Sequence, residues 1–216
     1  MTTQRTDPEP AETNRIEAFS DGVFAIAITL LVLELHVPDA PEGELWHALR
    51  QEWPQFGAYL TSFAILGIMW INHHSMFRQI RRADRGVMFL NLFLLLWTAL
   101  LPFPTNLFAE KLKDHTIDAH VAAAVYSTNL TLAAIAFSAI WWHVLRKHLV
   151  DHEMTRSEQR KSVLRYSVGT VIYAATIGLS FISAPLTLLL QFLLALYYGF
   201  EQLRTRSDLT AVDENA

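Results

Sequence analysis

The chain has 216 residues, 52% of them hydrophobic and only 18% charged, with a mean hydropathy of +0.23. That is too apolar for an ordinary soluble domain of this size and marks an integral membrane protein. The net charge is −4 and cysteine is absent, so disulfides, thiol chemistry and cysteine-ligated metal sites are excluded.

Residues 1–13 have the composition of a disordered cytoplasmic tail, with neither a basic region nor a cleavage site, so no removable signal peptide is read. Six apolar segments follow, near 16–35, 56–77, 86–108, 121–145, 163–182 and 185–200. Backbone polar groups in lipid must pair internally, and these runs lack the alternation of barrel strands. The expected fold is therefore an all-α membrane protein with six transmembrane helices and no internal repeat. Its transmembrane domain should cover 14–203, with 204–216 a cytoplasmic tail. With the N-terminus inside, fourteen of the 17 lysines and arginines fall on inner segments, and only Arg50, Lys111 and Lys113 fall outside. This positive-inside bias predicts that both termini are cytoplasmic. The outer loops are acidic and would concentrate cations at an outer mouth.

The first span opens on a polar cluster. Asn14 followed by Glu17 resembles a helix capping box. Arg15, Glu17, Ser20 and Asp21 crowd the first turns, at a depth where ionisable groups are costly unless they pair or meet water. From Gly22 onward the helix is apolar except for Thr29. Ile26, Leu30 and Leu33 share one face, at i, i+4 and i+7, with Thr29 beside it. Periodicity alone makes them lipid-facing or packing residues. Glu34, at the outer end, reads either as a carboxylate that enriches cations or as an ordinary interfacial one.

An amphipathic stretch at 44–53 precedes Pro54, which opens the second span. That span ends in Trp70-Ile71-Asn72-His73-His74, and topology brings Asn72, His73 and His74 to the membrane depth of Arg15 and Asp21, where they are candidate partners for the charges of span 1. Adjacent histidines diverge by about 100° on a helix, so His73 and His74 cannot share a metal ion, and none is expected. In span 3, Asn91 is explained by hydrogen bonding to a neighbouring helix, and Pro102 with Pro104 must kink or end the helix. Span 4 carries a packing stripe of Ser127, Thr131 and Ser138, then Trp141 and Trp142 as an aromatic belt. The charged stretch 146–161 reads as a cytoplasmic helical extension. Its His148 and His152 have metal-binding spacing, although a solvated face explains them better. Spans 5 and 6 form a tight hairpin with Pro185 at the first position of the last helix, and Gly169 and Gly178 permit close packing.

The motif Arg15-Ile16-Glu17-Ala18-Phe19-Ser20-Asp21 resembles the Arg-x-x-x-Phe-Ser-Asp signature of the transmembrane protein 175 family, the lysosomal and prokaryotic potassium channels. The likeness extends through Tyr59, Ser62, Phe63, Trp70, His73 and Phe77 to Asn91 and Pro102-Phe103. It implies a potassium-selective channel, multi-pass in the plasma membrane, assembled as a homotetramer around the first helix of each copy. By that resemblance Ile26, Leu30 and Leu33 form an apolar constriction that serves as filter and gate, with Thr29 as a polar layer. Arg15, Phe19, Ser20 and Asp21 would anchor this pore helix through Trp70, His73 and Asn91. The permeant ion is K+, with no cofactor and no nucleic-acid partner. The alternative is a proton- or cation-coupled secondary transporter in which Asp21 and His73 with His74 titrate. Such transporters usually carry an internal repeat and a helix broken at the midplane, and neither is visible. An enzyme is not expected, because no nucleophile constellation, phosphate loop or HExxH pattern is present.

Overall fold

The computed structural model describes residues 11–113, 116–150 and 155–213. They form eight helices: α1 (Ala11–Leu33), α2 (Leu45–Gln51), α3 (Trp53–Phe77), α4 (Arg85–Leu100), α5 (Pro102–Leu112), α6 (Ile117–Arg146), α7 (Arg156–Ser180) and α8 (Ala184–Asp213). Among the described residues there is no strand, only an isolated antiparallel bridge between Ile80 and Val150. Among the described residues five segments are long and apolar enough to cross a membrane: Thr13–Leu33, Trp53–Phe77, Arg85–Leu112, Ile117–Arg146 and Arg156–Ser180. Ala184–Tyr198 is a shorter apolar helix, so six apolar segments appear as five full-length spans and one short one.

Local chemistry sets the helix ends. α1 begins at Ala11, which places Asn14 and Glu17 inside the helix and removes the expected capping box there. A capping box forms instead at α7, where Thr155 Oγ1 accepts from the Glu158 backbone N–H and the Glu158 carboxylate accepts from that of Thr155. The third apolar segment breaks at Leu101, because Pro102 and Pro104 lack backbone N–H groups and their rings clash with the preceding turn. Pro102 then starts α5, where a missing N–H does no harm. Pro185 stands second in α8, after Ala184.

The stretch after span 4 is not a continuous helix. α6 ends at Arg146, His148 takes a left-handed φ of 52°, and the Leu149 carbonyl accepts from the Arg81 N–H at 2.9 Å. The turn ties the α3–α4 loop to the end of α6. His148 is exposed, and His152 lies outside the described residues.

α6 is the central element, packed against α4, α5, α7 and α8. It buries Ala119, Ala122, Ala123, Ala133 and Ala136. Small side chains let backbones approach closely, which matters in lipid because apolar burial gives little drive for helix association there. Trp141 is part of this core and not of an aromatic belt, since it is buried and donates to Ser162 Oγ at 3.0 Å. Trp142 remains exposed. Gly178 makes no close approach, because a Cβ there would meet nothing within 4 Å, and one on Gly169 would only touch the Tyr198 hydroxyl. Among the described glycines, the close approach is at Gly86, where a Cβ would run into the His143 ring.

Candidate functional site

α1 packs against α3, α4 and α5 along one stripe only. Ser20, Phe24, Ala27 and Leu31 are at most 1% exposed, and their spacing of four, three and four residues keeps them on one face. The opposite face is left open by the rest of the chain. Ile26 is 60% exposed, Leu30 40% and Leu33 73%, and Thr29 is exposed among them. The Thr29 hydroxyl donates to its own Ile26 carbonyl at 2.9 Å, so its oxygen lone pairs remain available on that face. Glu34 follows directly after the last residue of α1 and is half-buried.

Polar contacts hold the motif end of α1 in this rotation. Ser20 Oγ donates to the Ile16 carbonyl at 2.8 Å and accepts from Asn91 Nδ2 at 2.9 Å. That leaves Asn91 Oδ1 to accept from His73 Nε2, also at 2.9 Å. The chain Ser20–Asn91–His73 therefore joins α1, α4 and α3, with all three residues buried. It also sets the His73 tautomer, with the proton on Nε2. His73 Nδ1 has no hydrogen-bond partner among the described residues, and its ring stacks on Phe77 at 4.2 Å and lies 5.6 Å from Phe24.

Closer to the surface, Trp70 Nε1 donates to Asp21 Oδ1 at 2.8 Å, and His74 Nδ1 pairs with the Glu17 carboxylate. The Trp70 and His74 rings stack on each other. The expected residues thus divide. Ser20, Asp21, Trp70, His73 and Asn91 are brought together, whereas Arg15 and Phe19 are exposed and make no polar contact with a described residue. Glu17 is an added member that sequence reasoning assigned to helix capping. Its signal was available, since Glu17 stands three residues before Ser20 and four before Asp21, on the same side of the helix.

Further polar contacts tie the other helices. Ser62 Oγ meets both Thr105 Oγ1 and the Tyr126 hydroxyl at 2.8 Å, joining α3, α5 and α6 in the core. Gln191 Nε2 donates to Ser127 Oγ at 2.9 Å, joining α8 to α6. His143 Nε2 lies 2.9 Å and 3.0 Å from the two Asp84 oxygens. Burial raises the pKa of the Asp84 carboxyl, but the Val87 N–H and the His143 ring outweigh it and hold the group below its ordinary value. Among the described residues no group of three metal-binding side chains is found.

Residues 15–102, from the polar start of α1 to the proline break, match the family model described as the endosomal/lysosomal potassium channel TMEM175. The chain is 51% identical over 193 residues to a protein of Streptomyces collinus named a potassium channel, covering 88% of this chain and 93% of that one. It is 39% identical over 145 residues to the bovine protein named endosomal/lysosomal proton channel TMEM175, covering 62% of this chain and 29% of that one. The crystal structure of a lysosomal potassium-selective channel TMEM175 homolog from Chamaesiphon minutus superposes with a TM-score of 0.79 at 42% identity, covering 88% of this chain and 98% of that one.

Proposed function

This chain belongs to the TMEM175 family, and from that premise we propose that it is a potassium channel whose pore is lined by α1 of four identical copies. Its relatives are ion channels and not enzymes. The observation that carries the reading is the division of α1 into one face locked to its own chain and one apolar face left open. Four such faces around an axis would present rings of Ile26, Leu30 and Leu33, with Thr29 between them. Rings of branched side chains exclude hydrated ions by width and by dewetting, so the ion that sheds water more readily passes more often. K+ is that ion relative to Na+. Glu34 would gather cations at the outer mouth.

In this arrangement Ser20, Asp21, Trp70, His73 and Asn91 set the rotation of α1, with Glu17 and His74 beside them. Arg15 and Phe19, which are exposed, continue the stripe of Ile26 and Leu33 and would meet the neighbouring copies at the inner end of the same bundle. Residues 14–203 form the channel domain, flanked by cytoplasmic tails at 1–13 and 204–216. The short helix Ala184–Tyr198 supplies the sixth crossing, which returns the C-terminus to the cytoplasm of a plasma-membrane protein. A coupled carrier would need Asp21, His73 and His74 to exchange protons along one path. Their separate engagement with Trp70, Asn91 and Glu17 favours the channel.

Reconstitution into vesicles with a potassium gradient tests the reading. We expect passive K+ flux exceeding Na+ flux, and Ile26→Asn should bring the two together while the mass of the assembly stays the same. Unchanged permeability ratios across substitutions at Ile26, Leu30 and Leu33 would overturn the pore assignment.

A further inference from the structure

Away from α1, a groove of about 420 Å³ lies open between α6 and α7. Its walls are Ile135, Trp142, Val163, Tyr166 and Val171, and its polar floor is occupied internally, since the Ser138 and Thr170 hydroxyls bond each other at 2.9 Å. The groove is therefore apolar to any occupant. Its rim at one end is basic. On α6, Arg146 follows Trp142 by one turn, and its guanidinium stacks over the Trp142 ring at 4.4 Å. On α7, Arg156, Arg160, Val163, Ser167 and Thr170 recur at four, three, four and three residues, so two exposed arginines continue the stripe that lines the groove. Across 146–165 six basic residues stand against Asp151, Glu153 and Glu158. Glu158 is engaged with Thr155 in the cap of α7. Arg146 and Arg160 make no ion pair with a described residue.

We propose that this groove binds an anionic phospholipid of the cytoplasmic leaflet, with an acyl chain between α6 and α7 and the phosphodiester held by Arg146 and Arg160. The assignment to that leaflet rests on the orientation proposed above. An apolar slot suits a chain, and guanidinium groups match phosphate oxygens in bidentate geometry. A basic cluster just beyond a membrane helix attracts anionic headgroups. An isologous contact with a second copy would bring the same positive rim to the same place, so charge favours the lipid over that pairing.

The test is native mass spectrometry of the purified protein, titrated with phosphatidylglycerol and with phosphatidylcholine of the same acyl chains. The unaltered protein should retain phosphatidylglycerol preferentially. Arg146→Gln with Arg160→Gln should weaken it by about fivefold per arginine and weaken phosphatidylcholine less, because the choline cation already offsets its phosphate. Ser167→Trp, which fills the groove, should release both lipids without changing the assembly mass, and glycerol phosphate alone should displace neither. Equal retention of the two lipids, phosphatidylglycerol binding unaffected by the arginine pair, or displacement by glycerol phosphate would overturn the proposal. So would a change of assembly mass in Ser167→Trp, which would place a second copy in the groove. The readout is bound lipid, so it stands apart from ion flux, and protease access to 146–161 in sealed vesicles reads the orientation separately.

Discussion

Replacing Asn91 with alanine tests whether the Ser20–Asn91–His73 chain fixes the first helix. Asn91 is 2% exposed and makes one bond to α1 and one to α3, each at 2.9 Å. Interhelical hydrogen bonds in membranes are worth about 0.6 kcal/mol on average and up to about 1.7. Ser20 keeps its bond to the Ile16 carbonyl, whereas His73, whose Nδ1 already lacks a partner, loses its remaining one. A buried group left unsatisfied costs about 1–3 kcal/mol. Asn91→Ala should therefore destabilise by about 3 kcal/mol, roughly a hundredfold in the folding equilibrium. Ser20→Ala breaks only one of the two bonds but leaves the buried Asn91 Nδ2 without that partner, so about 2 kcal/mol is expected. The assay is equilibrium unfolding in mixed micelles by dodecyl sulfate titration, followed by circular dichroism at fixed protein concentration. If Ser20→Ala were as damaging as Asn91→Ala, or Asn91→Ala fell within about 0.5 kcal/mol of the unaltered protein, the pinning role would be refuted.

Gly86→Ala should push His143 off Asp84, because the new Cβ would run into the His143 ring and lie 3.1 Å from Asp84 Oδ1. A loss of about 1–3 kcal/mol is expected, largely relieved by adding His143→Ala, and thermal melts of the single and double variants check it. The Asp84 carboxyl lies below its ordinary value when folded, so its contribution is complete above the unfolded pKa of about 3.9 and is lost as pH falls through the folded value. Asp84→Asn should accordingly lower the melting temperature at pH 5 and converge with the unaltered protein in stronger acid; a constant gap down to low pH would contradict this. Ser62→Ala removes the shared partner of Thr105 and Tyr126 and should cost more than Tyr126→Phe, by about 1 kcal/mol, in the same dodecyl sulfate titration.

The sequence made the anchor legible through expense. Charges at Arg15, Glu17 and Asp21 near membrane depth needed partners, and topology carried Asn72, His73 and His74 to the same level, whereas Trp70 and Asn91 were indicated by the family resemblance. Individual pairings were less visible. Glu17 satisfies a local capping pattern as well as it satisfies His74, and the structure chooses the longer-range contact. Gln191 is inconspicuous in a span with no charge in its apolar part, although a lone amide in such a run is itself a sign of an interhelical bond. The turn after Arg146 was hidden because charged residues propagate a helix as readily as they cover a loop, and only the pairing of Leu149 with Arg81 distinguishes the two. The family signature named residues for roles that periodicity could not assign, while packing supplied the rotation of α1 that the motif lacks.

That rotation has a consequence for how the chain can vary. A helix buried on both sides accepts almost no change, since every position meets a neighbour that must adjust. Along α1 the residues that secure the fold and those at Ile26, Leu30 and Leu33 are different sets on opposite sides of one cylinder. Exchanging the second set leaves the contacts of the first untouched, so descendants of this sequence can explore new open surfaces without first surrendering a stable subunit.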